Sequence, residues 1–138
     1  MVPDVIGADE GVTFGSAQWL ELARRVLETL VAEHGEDGRS FSACEVFTDA
    51  PDGLMGADDH TAGWHFVIDG KTVTVGEGAI EGADMSVRVP YRRALPMARR
   101  AVPSFGIMVY GVLCRLIRRP APPVYLADLH NQLARVTR

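Results

Sequence analysis

The sequence predicts an α+β fold, a single mostly antiparallel five-stranded sheet with helices covering one face. Three observations carry that expectation. An amphipathic segment opens the ordered chain, alternating segments follow from Ser40 to Val89, and helical spacing returns from Tyr91 to the end. Strands gathered between helices do not give the strict strand-helix alternation of a parallel α/β sheet. At 138 residues the chain fits one domain. Its 47% hydrophobic and 23% charged residues suffice for a packed core and lie far from the disordered regime. The expected organisation is a flexible segment over residues 1–15 and one domain over 16–138.

In "SAQWLELARRVLETLVAEHG", Trp19, Leu20, Ala23, Val26, Leu27, Leu30 and Val31 recur at helical spacing. Ser16 is the expected N-cap and Gly35 the expected C′ residue. "SFSACEVFT" alternates and should be a strand, with its facing open: Phe41 and Phe47 inward would take Glu45 with them, and the other choice would bury Cys44 and Val46. "DAPDGLMGADDHTAG" is a loop long enough to be mobile or a lid. "WHFVIDGKTVTV" reads as a hairpin with Asp69-Gly70 as a type I′ turn. After the glycine-rich "GEGAIEGAD", "MSVRV" makes a further strand.

"PYRRALPMARRA" is helical from Tyr91, with Pro96 expected to break or kink it. "SFGIMVYGVLCRLIRRPAPP" is too densely apolar for periodicity to separate strand from helix. The reading adopted is a strand over Gly106 to Tyr110 and helical turns over Val112 to Arg118, with one helix from Phe105 to Ile117 as the alternative. "VYLADLHNQLARVT" places Leu126, Leu129 and Leu133 on one face of a closing helix.

Net charge is −4, but 17 acidic and 4 basic residues precede Arg88, whereas 1 acidic and 10 basic residues lie from Arg88 onward. All ten are arginines. The two halves either cancel by folding together or leave a basic face for an anionic membrane or an acidic partner. No base-reading motif accompanies the arginines, so nucleic acid is not an expected partner. The opening segment is neither a secretory signal nor a transit peptide, and the longest apolar run is half of what spans a bilayer, so the expected location is cytoplasmic. Cys44 and Cys114 are expected to be thiols.

The chain resembles the sterol carrier protein type-two family, small lipid-binding domains whose five-stranded sheet and helices enclose an apolar tunnel. The resemblance rests on the opening helix and strand from Trp19 to Thr48, the aromatic hairpin "WHFVIDGKTVTV", "GADMSVRV" running into a helix with Asp84 in the acidic place, and the tail with "FGIMVYG" and "LHNQLARVT". It covers residues 16 to 137. It implies non-enzymatic binding or transfer of an apolar small molecule such as a lipid, sterol-like compound or acyl chain. The family's late strand usually alternates with lysines, whereas residues 107–112 are almost wholly apolar here. A bound tail, a partner in a homodimer or the terminal helix would cover them.

The expected ligand-binding residues are Trp64, Phe66, Ile68, Met85, Val87, Met97, Met108 and Tyr110, since a carrier needs apolar area. The catalytic alternative is acid-base chemistry on an apolar metabolite by Glu45, His65 and Asp84, if they converge. Alternation argues against convergence, because His65 points away from Trp64 and Phe66. A third alternative is a homo-oligomeric interaction module. Asp58, Asp59, His60 and His65 match no metal-ligand spacing, and "GEGAIEG" enters a strand rather than a phosphate-binding helix, so neither metal nor cofactor is expected.

Overall fold

A computed structural model describes residues 11–54, 60–100, 110 and 112–138. Helix α1 (Ala17–His34) is followed by strands β1 (Ser40–Thr48), β2 (Ala62–Asp69), β3 (Thr72–Glu77) and β4 (Met85–Pro90), then helices α2 (Tyr91–Ala98) and α3 (Leu126–Val136). The four strands form one mixed sheet in the order β3-β2-β1-β4. The α+β class is as expected. The fifth strand, placed at Gly106 to Tyr110, falls outside the described residues except for Tyr110, which is helical, as are residues 112–116.

The strands do not simply follow one another across the sheet. β1 pairs antiparallel with β2, and β2 with β3, but β4 returns to the far side of β1 and runs parallel to it. A parallel neighbour ordinarily needs a helical crossover of a dozen residues. Here seven residues suffice, because β3 ends opposite Trp64, at the level of Glu45, and β4 begins opposite Ala43. The chain therefore crosses the sheet while stepping back only from the level of Glu45 to that of Ala43. The crossing strap lies on the outer face, where Cys44 Sγ sits 3.8 Å from the Ile80 carbonyl and His65 Nδ1 2.9 Å from that of Gly78.

α1 forms as its spacing predicts, with the Ser16 hydroxyl accepting from the Trp19 amide. Gly35 is the C-cap itself, and its φ of −63° is open to any residue. It is required for another reason: a Cβ there would lie 2.2 Å from the Gly70 carbonyl oxygen. The hairpin turn also differs from expectation. Asp69 pairs with Thr72, so the central residues are Gly70 and Lys71, and only Gly70 has positive φ, at 62°. That is the type II′ pattern, with glycine at the first central position, in place of type I′.

Pro96 does not break α2, which runs two residues beyond it. A proline so close to the C-terminus costs a single backbone hydrogen bond, and the helix ends within that turn. The loop after β1 is pinned at its base, where the Ala50 amide donates to the His60 carbonyl at 2.8 Å and Ala50 is buried. Residues 55–59 of that loop lie outside the described residues.

The domain begins earlier than residue 16. Val12 pairs with Thr137 in a parallel bridge, its amide donates to the Val136 carbonyl, and its carbonyl accepts from the Arg138 amide. Phe14 is 3% exposed, stacks on Tyr91 and meets Trp19 and Phe47 edge-on. Its carbonyl accepts from the Tyr91 hydroxyl. The expected flexible segment thus gives up residues 11–15 to the folded domain, with Val12 and Phe14 in its core; residues 1–10 are not described. α1 and α3 bury their leucines with Phe41, Phe47, Trp64, Phe66 and Ile68 in one cluster on the inner face of the sheet.

Candidate functional site

Alternation along β1 turns Phe41, Ala43, Glu45 and Phe47 to the inner face, settling the facing that the sequence left open. Register then places Trp64 on one side of Glu45 and Val87 on the other. Ala43 likewise lies between Phe66 and Met85. This apolar floor, interrupted once by a carboxyl group, is roofed by α2 through Ala94, Met97 and Ala98 and by α3 through Leu126, Leu129, His130 and Leu133. Between floor and roof is a cavity of about 390 Å3, with Phe14, Trp19 and Tyr110 also in its wall.

Among the described residues Glu45 is the one carboxyl-bearing side chain in that wall. The Trp64 indole Nε1–H donates to its Oε1 at 2.8 Å. Trp64 is itself fixed by an edge-on contact with Trp19, ring centroids 5.3 Å apart, and a tilted one with Phe66. Burial pushes the Glu45 carboxyl above its ordinary range, against the lowering effects of the Trp64 hydrogen bond and of His130. Desolvation wins because one neutral donor does not replace the hydration of a carboxylate.

His130 is a further polar group in the wall, which also holds Tyr110. Its Nε2 is 2.6 Å from the Arg100 carbonyl oxygen, which can only accept, so Nε2 carries the proton. In the neutral ring Nδ1 is then left as an acceptor. His130 was legible by position, since it stands four residues after Leu126 and three before Leu133, on the buried face of α3. Phe14, Trp19, Phe47, Ala43 and Val89 also line the cavity without having been singled out as site residues.

Of the expected lining, Trp64, Phe66, Met85, Val87, Met97 and Tyr110 are brought together. Ile68 is in the core, and its far side borders a different, more polar hollow of about 500 Å3 between the end of α1, the start of β1 and the turn before α3. Met108 lies outside the described residues. The catalytic alternative is dispersed. His65 is on the outer face over Gly76, where a Cβ would meet the imidazole at 2.7 Å, and its Nδ1 is engaged by Gly78. Asp84 is exposed and ties the strap to β1: its carboxylate accepts from the Ser42 amide at 2.9 Å, and its own amide donates to the Ser42 hydroxyl at 3.0 Å. Only Glu45 of the three points into the cavity.

Cys44 and His65 are register partners on the outer face, but the thiol is buried and held near Ile80 and Ser86. Both cysteines are free thiols. Among the described residues no group of three or more His, Cys, Asp or Glu is placed to hold a metal ion, and no helix is long and apolar enough to cross a membrane.

Arg88, Arg92, Arg93, Arg99, Arg100, Arg115, Arg118 and Arg119 are all exposed, and among the described residues none has a carboxylate within 4.0 Å. Among the described residues, direct ion pairs do not cancel the charge of these eight. No family model matches the chain, and no curated protein or solved structure shows significant similarity to it.

Proposed function

We propose that the chain is a non-enzymatic binding or transfer domain for an apolar small molecule, held between the inner face of the sheet and helices α2 and α3. The observation that carries this reading is the cavity of about 390 Å3, walled among the described residues by aromatic, aliphatic and thioether side chains around a single carboxyl. Its volume falls within the ~300–1,000 Å3 range of small-molecule sites, and its wall follows their usual composition of apolar surface with few polar groups. The resemblance to sterol carrier domains belongs to this proposal. Such domains add a fifth strand, and the outer edge of β4 is free to pair with one among the described residues.

A carrier must also exchange its cargo with a lipid phase. The cavity wall continues onto the surface at Met97 and Tyr110, and Leu113, Leu116 and Ile117 are exposed on the helical turns that follow. The eight exposed arginines border this region in sequence, which favours an anionic bilayer as the docking partner.

Both tryptophans of the chain line the cavity, so their emission reports its occupancy directly. Titration with long-chain and polycyclic apolar compounds is expected to change that emission saturably at micromolar concentration, and native mass spectrometry should show one bound molecule. The control variant Ala94→Phe, which fills the cavity from α2, should weaken binding. Unchanged emission with every compound would remove the basis of the proposal.

A further inference from the structure

The cavity contains one feature that an unselective grease-binding pocket does not need. Placing a carboxyl among Trp64, Val87 and the leucines of α3 is costly, and a hydrophobic residue of similar size would fill the space without that cost. Nothing in the fold requires Glu45 as an ion-pair partner, because among the described residues no lysine or arginine reaches it. Its Oε1 is taken by the Trp64 indole, whereas no described residue donates to or accepts from Oε2. Nor is the side chain sealed in the protein: Glu45 is only partly buried and forms part of the cavity wall. His130 faces the same space with Nε2 committed to the Arg100 carbonyl.

We infer that Glu45, with Oε1 fixed by Trp64 and Oε2 open to the cavity, is the polar anchor that selects uncharged apolar molecules bearing one hydroxyl or carbonyl group over molecules ending in a carboxylate. The inference rests on the cavity being a ligand site. Three steps lead to it. The Trp64 hydrogen bond fixes the carboxyl plane, so Oε2 has a set direction. Burial raises the pKa of the group above its ordinary range, and Oε2 can meet a ligand hydroxyl in either state, accepting from it as a carboxylate or donating to it as a carboxylic acid. A ligand hydroxyl can accept from the acid and give its own proton to His130 Nδ1, and a ligand carbonyl can accept from the acid alone. A ligand carboxylate would have to shed its own hydration among apolar side chains that do not replace it, and wherever Glu45 is ionised the two like charges would repel in low-dielectric surroundings. His130 and Tyr110 are the other titratable side chains among the described residues of the wall, and each can hydrogen-bond a polar group of the ligand.

The test compares ligands of one chain length, 1-dodecanol, 2-dodecanone and dodecanoate, by tryptophan emission at pH 7.5 in the full chain. The alcohol and ketone are expected to bind roughly tenfold or more tightly than the carboxylate, the scale of one hydrogen bond to a buried polar group. Glu45→Leu should lower alcohol affinity roughly tenfold and abolish the preference. Glu45→Gln keeps an acceptor for Trp64 and a donor toward the cavity, so alcohol binding should persist while the carboxylate gains. Melting curves establish that each variant is folded, and the Gln variant preserves the test if the Leu variant is not. Equal affinity of alcohol and carboxylate, unchanged in both variants, would overturn the anchor while leaving the cavity as an apolar site. Absence of binding by all three ligands would overturn both.

Discussion

Glu45 sits mid-row on the inner face of the sheet, flanked by Val87 and Trp64, and its protonation links the cavity to stability. Burial raises its pKa above the ordinary 4.5, so the folded chain keeps a proton at pH values where the unfolded chain has released it. Fewer protons are then bound in the unfolded state, and stability falls as pH rises from about 4.5 through the raised value. Below 4.5 both states are protonated and the contribution is fully present. Ligand-free Glu45→Gln, which retains the Trp64 hydrogen bond, should therefore melt higher than the parent at pH 7.5 and converge with it near pH 4. A gap that stays constant across that range would show that titration of Glu45 does not cause it. At the same scale, Gly35 is fixed by contact rather than by its dihedral. Because the obstructing Gly70 and Val31 atoms are backbone, Gly35→Ala should cost about 1–3 kcal/mol or more, read from urea midpoints.

At the scale of elements, the N-terminal stretch gives the sharpest prediction. If residues 11–15 were a loose leader, truncating Phe14 would change little. Instead its ring is shared among Trp19, Phe47 and Tyr91, and Val12 closes against the residues that end α3. Phe14→Ala should destabilise by about 3–5 kcal/mol, the usual cost of emptying a buried phenyl site, and chemical denaturation would detect it. The alternation of Val12 and Phe14 was visible in the sequence, but two apolar residues beside Gly11 and Gly15 do not make a periodic segment. Longer elements were legible because their periodicity is sustained: α1, β1, the hairpin strands, β4 and α3 all stand where spacing placed them. What spacing could not supply was the partner of β4. Local patterning fixes which face of a strand is buried, whereas its neighbour depends on where β3 stops and how little chain is needed to cross the sheet. The same limit hid the cavity as a unit. Trp64, Phe66, Met85 and Val87 were readable as one-sided strand residues, but the approach of His130 to Glu45 depends on α3 packing back over β1 from far along the chain.

Across the whole molecule, charge is segregated in sequence, and along one stretch it stays without ion pairs among the described residues. Between Asp84 and Asp128 there is no acidic residue and there are eight arginines, all exposed. A protein using these groups only for solubility would gain nothing from collecting them beside Met97, Leu113, Leu116 and Ile117, which are 65%, 54%, 74% and 64% exposed. Apolar side chains of that exposure, bordered by cations, fit the interfacial zone of an anionic bilayer, where hydrocarbon is buried and each arginine near the surface contributes ~1 kcal/mol. Two components with different salt dependence follow. Vesicles containing phosphatidylserine should retain the protein in a flotation assay, whereas phosphatidylcholine vesicles should retain much less, and raising ionic strength should release it as the Debye length shortens. Replacing Arg115, Arg118 and Arg119 together by Gln should weaken retention by roughly fivefold per arginine, yet leave tryptophan-reported ligand affinity unchanged because none of the three lines the cavity around Glu45. Leu116→Ser should weaken retention at all salt concentrations, since the loss of buried hydrocarbon is not screened. Retention that is equal on neutral and anionic vesicles, and indifferent to the three arginines, would assign this surface to a different partner.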